Sequence, residues 1–167
     1  MITVQNLVTQ YQMLPHPEGG YYKETYRSSG RFEQETRRKD FPEGRSYSTA
    51  IYFLLEQGQF SAFHRIKSDE CWHFYGGGAL HIYIVYPNAV LEVIKLSSNM
   101  LSGEVFQAVV PANCWFASEP APNSSFSFVG CTVSPGFEFA DFELAEAAKL
   151  CAEYPEHAQI ISRLCRQ

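Results

Sequence analysis

Between Ser46 and Ser134 the sequence breaks into eight short runs rich in β-branched and aromatic residues. They read YSTAIYFLL, QFSAFHRI, CWHFY, ALHIYIVY, AVLEVIKL, EVFQAVV, NCWFA and SFSFVGCTV. Turn signals part them: Glu56-Gln57-Gly58, Gly76-Gly77-Gly78, Pro87-Asn88, the stretch 97–103, Pro111-Ala112 and the stretch 119–123. So many short strands at near-regular spacing imply a mainly β protein, an antiparallel sandwich or barrel.

The flanks have a different period. Val4, Leu7, Val8 and Tyr11 fall at helical spacing ahead of Pro15, which predicts a short amphipathic N-terminal helix. HPEGGYYKETYRSS then gives a Gly-Gly break and a tyrosine-rich strand, with Glu18 at the turn or at a pocket mouth. Residues 30–45 are polar and read as one long loop. At the other end Leu144, Ala147, Ala148 and Cys151 return to helical spacing, and Pro155 opens a second helix carrying Ile160, Ile161 and Leu164. With no repeat, linker or low-complexity stretch, the expectation is one domain over residues 1–167.

Composition narrows the partners. A net charge of -5 disfavours a nucleic-acid groove, which needs a basic face to displace counterions. The one basic cluster, Arg37-Arg38-Lys39, sits among Glu33, Glu35 and Asp40 and reads as a solvated loop. The longest apolar run, Ala50 to Leu55, is too short to cross a bilayer, and no signal peptide opens the chain. Five cysteines without a C-x-x-C pair point to free thiols in a reducing cytoplasm. Cys71 and Cys114 have no evident base partner, which argues against a nucleophilic role.

Strand parity then selects candidate site residues. If Arg65 and Lys67 are solvated, His64 and Ile66 point inward. In the next run Glu70, Trp72 and Phe74 share a face, and Cys71, His73 and Tyr75 share the other. A Glu70 turned inward meets His64, and the two are expected within hydrogen-bonding reach, with Trp72 beside them. Tyr52, Tyr83 and Trp115 are candidates for an aromatic ligand cage, each with core packing as its plainer reading. His73 and His81 read as structural or surface groups.

Gly58, five residues, His64, then Glu70, six residues, Gly77 resembles the first motif of the cupin superfamily. Gly103, Pro111-Ala112-Asn113 and Phe116 echo the second, and LPHPEGGYYKETYRSS, YSTAIYFLL, HRIKSDECWHF and FEFADFELAE resemble a single-domain cupin branch without an assigned activity. The resemblance implies a small antiparallel jelly-roll barrel with a short N-terminal helix and one or two C-terminal helices. It also implies a homodimer, with the segment Tyr21 to Tyr26 reaching the partner. Metal-holding cupins use two histidines and a glutamate from the first motif and a histidine from the second. Here Ile66 and Phe116 stand at two of those positions, so the reading is metal-free. A weakly bound divalent metal at His64 and Glu70 is the alternative.

Two functions follow from the resemblance. One is binding of a small polar or sugar-like molecule inside the barrel, with Trp72, Tyr52, Tyr83, Trp115 and Phe116 as lining. The other is a metal-independent isomerase or epimerase acting next to a carbonyl, with His64 as base, Glu70 as its orienting partner and Tyr52 or Tyr83 as acid. Against a nucleotide-sugar substrate stands the lack of a basic patch, for which Arg27 and Arg45 are the loose candidates. A purely structural or storage role fits the fold but gives no reason for an inward acid–base pair.

Overall fold

The computed structural model describes residues 2–32, 41 and 43–166. The cluster Arg37-Arg38-Lys39 and its acidic neighbours lie outside the described residues.

The chain opens with helix α1 (Val4–Tyr11). Strands follow as β1 (Leu14–Pro15), β2 (Tyr21–Arg27), β3 (Arg31–Phe32), β4 (Arg45–Ser46), β5 (Thr49–Glu56), β6 (Ser61–Arg65) and β7 (Asp69–Gly77). The series continues with β8 (Leu80–Val85), β9 (Leu91–Leu96), β10 (Gln107–Val110), β11 (Trp115–Pro120), β12 (Phe126–Ser134) and β13 (Glu143–Leu144). Helices α2 (Ala147–Glu153) and α3 (Ala158–Arg163) come last. The eight runs read from sequence correspond to β5 through β12. The supposed loop at 30–45 begins and ends in a small ladder, because β3 pairs with β4.

The ladders form two principal sheets, and no closed ring of strands is formed among the described residues. One sheet has the order β1-β2-β5-β12-β7-β10 and the other β13-β6-β11-β8-β9. Every named strand pair is antiparallel. This two-sheet arrangement is the jelly roll that the resemblance implied. Alternation explains how the faces meet. On β8, Leu80, Ile82 and Ile84 are fully buried, while His81 and Tyr83 point to the outer side. Across from them sit Phe53, Leu55, Trp72 and Val129 of the six-stranded sheet, making one apolar core between the layers.

The helices cover the outer faces. Thr3 and Asn6 form a capping box at the start of α1, with Asn6 N–H donating to Thr3 Oγ1 at 3.2 Å. The helix stops at Tyr11 because Gln12 turns left-handed, so Pro15 only follows an end already made. Leu7 buries against Leu54 and Phe128 on the six-stranded sheet. On the other sheet Leu150, Ile161 and Leu164 of the C-terminal segment pack on Phe63, Trp115 and Ala117. Burying each such aliphatic side chain contributes roughly 1.5–3 kcal/mol before chain entropy. The sequence expectation placed Leu144 in that helical stretch. It lies instead in β13, opposite His64 on β6, and α2 begins at Ala147. Among the described residues no helix is long and apolar enough to cross a membrane.

Within the sandwich, hydrocarbon fills one end and polar groups the other. Passing along β5, the inward residues run Leu55, Phe53, Ile51 and Thr49; along β12 they run Val129, Cys131 and Val133. The second end of each series lines a cavity.

Candidate functional site

The cavity has a volume of about 160 Å³. That is close to the size of an engineered cavity that holds benzene, so there is room for a compact molecule and no more. His64 enters it from β6, Ile66 from the residue just after that strand and Glu70 from β7, as strand parity predicted. His64 and Glu70 are only 2% and 8% exposed. Arg65 turns the other way, lies 4.4 Å over the Trp115 ring and pairs with Glu143.

The partner of His64 differs from the expected one. Its Nε2 lies 3.1 Å from Glu18 Oε2, while its Nδ1 lies 2.7 Å from the Ala62 carbonyl oxygen. Glu70 is close enough to act electrostatically on the ring, but the carboxyl that lies against Nε2 is Glu18. The reason is the HPEGG turn. Glu18's carbonyl accepts from Ala62 N–H at 2.9 Å and from the Arg166 guanidinium at 2.9 Å, which fastens the turn onto the start of β6. Gly19 has φ +124°, and a Cβ there would overlap the Phe60 carbonyl oxygen. Glycine is therefore required for the backbone to come this close and send Glu18 inward.

The same turn delivers His16, which the sequence reading did not single out. Its Nδ1 accepts the Glu18 backbone N–H at 3.3 Å and lies 3.5 Å from Glu18 Oε2. Tyr22 stands edge-on to its ring at 4.8 Å and Phe139 stacks at 5.9 Å. No sequence motif marks this histidine, because HPEGG reads as a turn wherever it occurs.

Burial shifts all four groups toward their neutral forms. Desolvation lowers His16, against the pull of Glu18. It raises the Glu18 carboxyl, offset partly by His16, and lowers His64, offset partly by Glu70. Glu70 is pushed up to about 7, first by burial and then by the Glu18 charge, with His64 and the Cys131 thiol pulling back.

The mouth is built by the FEFADFELAE stretch. Phe137, Phe139 and Phe142 form an aromatic wall, and Phe142 faces the His64 ring at 5.2 Å. Arg27 closes it on one side, paired with Glu24 at 2.7 Å and Glu138 at 2.8 Å. Arg45 is held by both oxygens of Asp141, at 2.6 and 2.7 Å. Both arginines weighed as phosphate ligands are thus already neutralised by carboxylates.

Several aromatic candidates lie elsewhere. Tyr52 is on the outer face of β5, packed on Tyr11 at 4.7 Å and Phe128 at 5.3 Å beneath α1. Tyr83 is on the outer face of β8 and donates to Glu119 at 2.8 Å. Trp115 packs under the C-terminal helices. These three do not line the cavity, because their strand positions have the parity that points away from it. Trp72 and Phe116 do point inward. Trp72 forms core beneath the site, edge-on to Phe53 and Phe116, and Phe116 presses on the His64 ring at 4.0 Å. His73 faces outward to Thr132 and Gln107, and His81 lies beside Tyr83.

A transition metal does not fit this donor set. Ile66 and Phe116 put hydrocarbon at two positions the resemblance assigns to ligands, and His64 Nδ1 is taken up by the Ala62 carbonyl. Among the described residues no three His, Cys, Asp or Glu side chains are grouped to hold an ion.

Comparison with known proteins agrees with the architecture. Residues 5–145 match the family described as Cupin superfamily (DUF985). An uncharacterized Saccharomyces cerevisiae protein, YML079W, is 33% identical over 151 residues, covering 83% of this chain and 73% of that protein. A hypothetical protein from Leishmania major superposes with TM-score 0.90 at 31% identity, over 99% of this chain and 100% of that one. A Shewanella oneidensis protein does so with TM-score 0.89 at 37% identity, over 99% of each. Bacillus subtilis oxalate decarboxylase shares the fold alone, at TM-score 0.54 and 14% identity over 90% of this chain and 36% of that one.

Proposed function

The chain belongs to the DUF985 family of the cupin superfamily, and from that premise we propose that it binds a small, uncharged polar molecule, sugar-like in its hydroxyls, in the cavity between its sheets. One observation carries this reading: the cavity combines an aromatic wall with four buried titratable groups and, among the described residues, no unneutralised cation. A phosphate or dicarboxylate entering it would meet Glu18 and Glu70 with no free guanidinium among the described lining to receive it. Hydroxyl groups suit it better, since carboxyls and imidazoles supply donors and acceptors while Phe139 and Phe142 cover apolar ring faces. The test is native mass spectrometry and thermal shift with free pyranoses and polyols against sugar phosphates and oxalate. Stabilisation by the anions and not by the neutral panel would overturn the reading.

A second reading, metal-independent proton transfer beside a carbonyl, is favoured by the approach of Glu18 Oε2 to within 3.1 Å of His64 Nε2, next to Glu70. Loss of carbon-bound hydrogen from dihydroxyacetone in deuterated buffer, followed by proton NMR, tests it. The proposal includes pairing of two chains through the open side of β2. Lys23 to Arg27 have β5 on one side, while β1 reaches only Tyr21 and Tyr22 on the other.

A further inference from the structure

We propose that the cavity also accepts a cation: replacing one hydroxyl of a sugar-like ligand by a protonated primary amine strengthens binding, with the ammonium group at Glu70. The inference rests on the binding reading above, whose neutral ligand it extends to amino sugars and amino alcohols.

Charge complementarity carries it. The described lining holds four carboxyls, those of Glu18, Glu24, Glu70 and Glu138, against the single guanidinium of Arg27, and no lysine. Arg27 is already matched: Nη2 donates to Glu24 Oε2 at 2.7 Å and Nη1 to Glu138 Oε1 at 2.8 Å. Those three groups leave one carboxylate in excess at the mouth, so Arg27 does not bar a cation. Deeper in, Glu18 has His64 Nε2 at 3.1 Å and His16 Nδ1 at 3.5 Å from its Oε2. Glu70 stands apart. It points into the cavity from β7 and is 8% exposed. Among the described residues only the Cys131 thiol, a weak donor, reaches its carboxyl, while His64 and Glu18 act on it through charge alone. Its ladder neighbours, Val110 and Val133, bring no donor side chain. A carboxyl so buried is an acceptor that the protein leaves for a ligand.

The aromatic wall points the same way. Phe137 and Phe139 meet at 79°, Phe137 and Phe142 at 73°, and Phe139 and Phe142 at 71°, with centroids 5.1, 6.5 and 6.4 Å apart. Rings set nearly at right angles turn faces and edges to one space from several sides, and a ring face attracts positive charge. Among the described residues no lysine or arginine lies over these three rings. The shortest guanidinium–ring contact, Arg65 over Trp115 at 4.4 Å, is outside the cavity.

An ammonium group answers both features at once. It brings three N–H donors to the carboxyls and a positive charge to the ring faces. A hydroxyl offers Glu70 a weaker bond and the rings only contact. A quaternary ammonium suits the rings but has no N–H for Glu70, and an amino acid adds a carboxylate that the lining has no free cation to receive. Primary amines bearing hydroxyls are therefore the class. Where Glu70 is protonated in the empty cavity, that proton leaves to solvent as the amine enters, and the same carboxylate–ammonium pair results.

The experiment is calorimetry near neutral pH with matched probes: glucosamine beside glucose, and 2-amino-1,3-propanediol beside glycerol. At least one amine is expected to bind at least about tenfold more tightly than its hydroxyl parent. N-acetylglucosamine, which keeps the ring and loses the charge, should show none of the gain. Amines that bind no better than their parents overturn the inference. Binding by the parents alone leaves the binding reading standing, whereas silence of every probe removes both, so the two failures are distinct. In E70Q the ratio of amine to parent affinity should fall to about one, and E138Q should keep most of it. Taking the ratio within one variant cancels any general weakening, and the acetylated probe needs no variant at all. A ratio that survives E70Q but falls in E138Q would put the ammonium at the mouth and overturn the assignment to Glu70.

Discussion

Asp141 binds Arg45 through both carboxylate oxygens, at 2.6 and 2.7 Å, with the two side chains only 4% and 5% exposed. This pair anchors the turn that carries Glu138, Phe139 and Phe142 to the cavity mouth. Arg45 also donates to the Gly44 carbonyl at 2.6 Å, and Lys67 approaches Asp141 at 3.5 Å. Removing one partner leaves the other buried and uncompensated. Asp141→Ala is expected to cost about 3–5 kcal/mol in urea unfolding. The double change Arg45→Met with Asp141→Leu should recover at least half of that loss. Equal losses in single and double variants would mean that the charges contribute no pairing.

Gly19 is where the backbone permits the site to exist. Its φ of +124° and the nearby Phe60 carbonyl leave no room for a methyl group. Gly19→Ala is expected to lose roughly 1–3 kcal/mol and to shift the His16 and His64 side-chain NMR signals together. Gly58→Ala has open space around its Cβ but also a positive φ, so it should strain the chain without moving those signals. If both variants disturb the histidines equally, Gly19 has no special part in the site.

Alternation makes the inward row legible in the sequence. Arg65 and Lys67 carry charges that a core excludes, so His64 and Ile66 had to face the interior, and Glu70 and Trp72 followed. The same logic could not sort Tyr52, Tyr83 and Trp115. Helices cover both sheets on the outside, so an aromatic residue is well placed on either face and hydrophobicity does not tell inside from outside. The His16–Glu18 turn was unreadable for another reason. Its approach to β6 is a long-range contact made through backbone groups, which every sequence supplies.

Pairing of two chains along β2 predicts a particle of twice the 19.0 kDa chain mass in light scattering at micromolar concentration. Tyr26, on the open stretch of that strand, is 55% exposed. Tyr26→Glu should shift the population toward the single-chain mass. A wild type that already runs at 19.0 kDa would dispose of the dimer.

Ile66 shares its parity with His64 and lines the same cavity. Ile66→His therefore adds a third donor beside His64 and Glu70, and affinity for Zn²⁺ should rise at least about tenfold by calorimetry. Adding Glu18→Ala should raise it further, since that clears the carboxyl lying 3.1 Å from His64 Nε2. No gain in either variant would mean that a histidine at position 66 does not reach the donors.

Glu70 makes the stability depend on pH, with a definite sign. Its folded pKa of about 7 lies above the ordinary 4.5, so between these values the native state binds more protons than the unfolded chain. Stability from this group is then full below about pH 4.5 and is lost as pH rises through 7. The full effect is at most about 3 kcal/mol, because 1.36 kcal/mol accompanies each pKa unit and the environment relaxes. His16 and His64 act oppositely: their lowered values mean that stability is lost as pH falls below the ordinary histidine range. Glu70→Gln isolates the carboxyl from these two. The variant's stability relative to wild type should climb between pH 5 and pH 8 by an amount of order 2–3 kcal/mol in urea unfolding. A difference that is flat across that range would show that Glu70 ionises at its ordinary pKa.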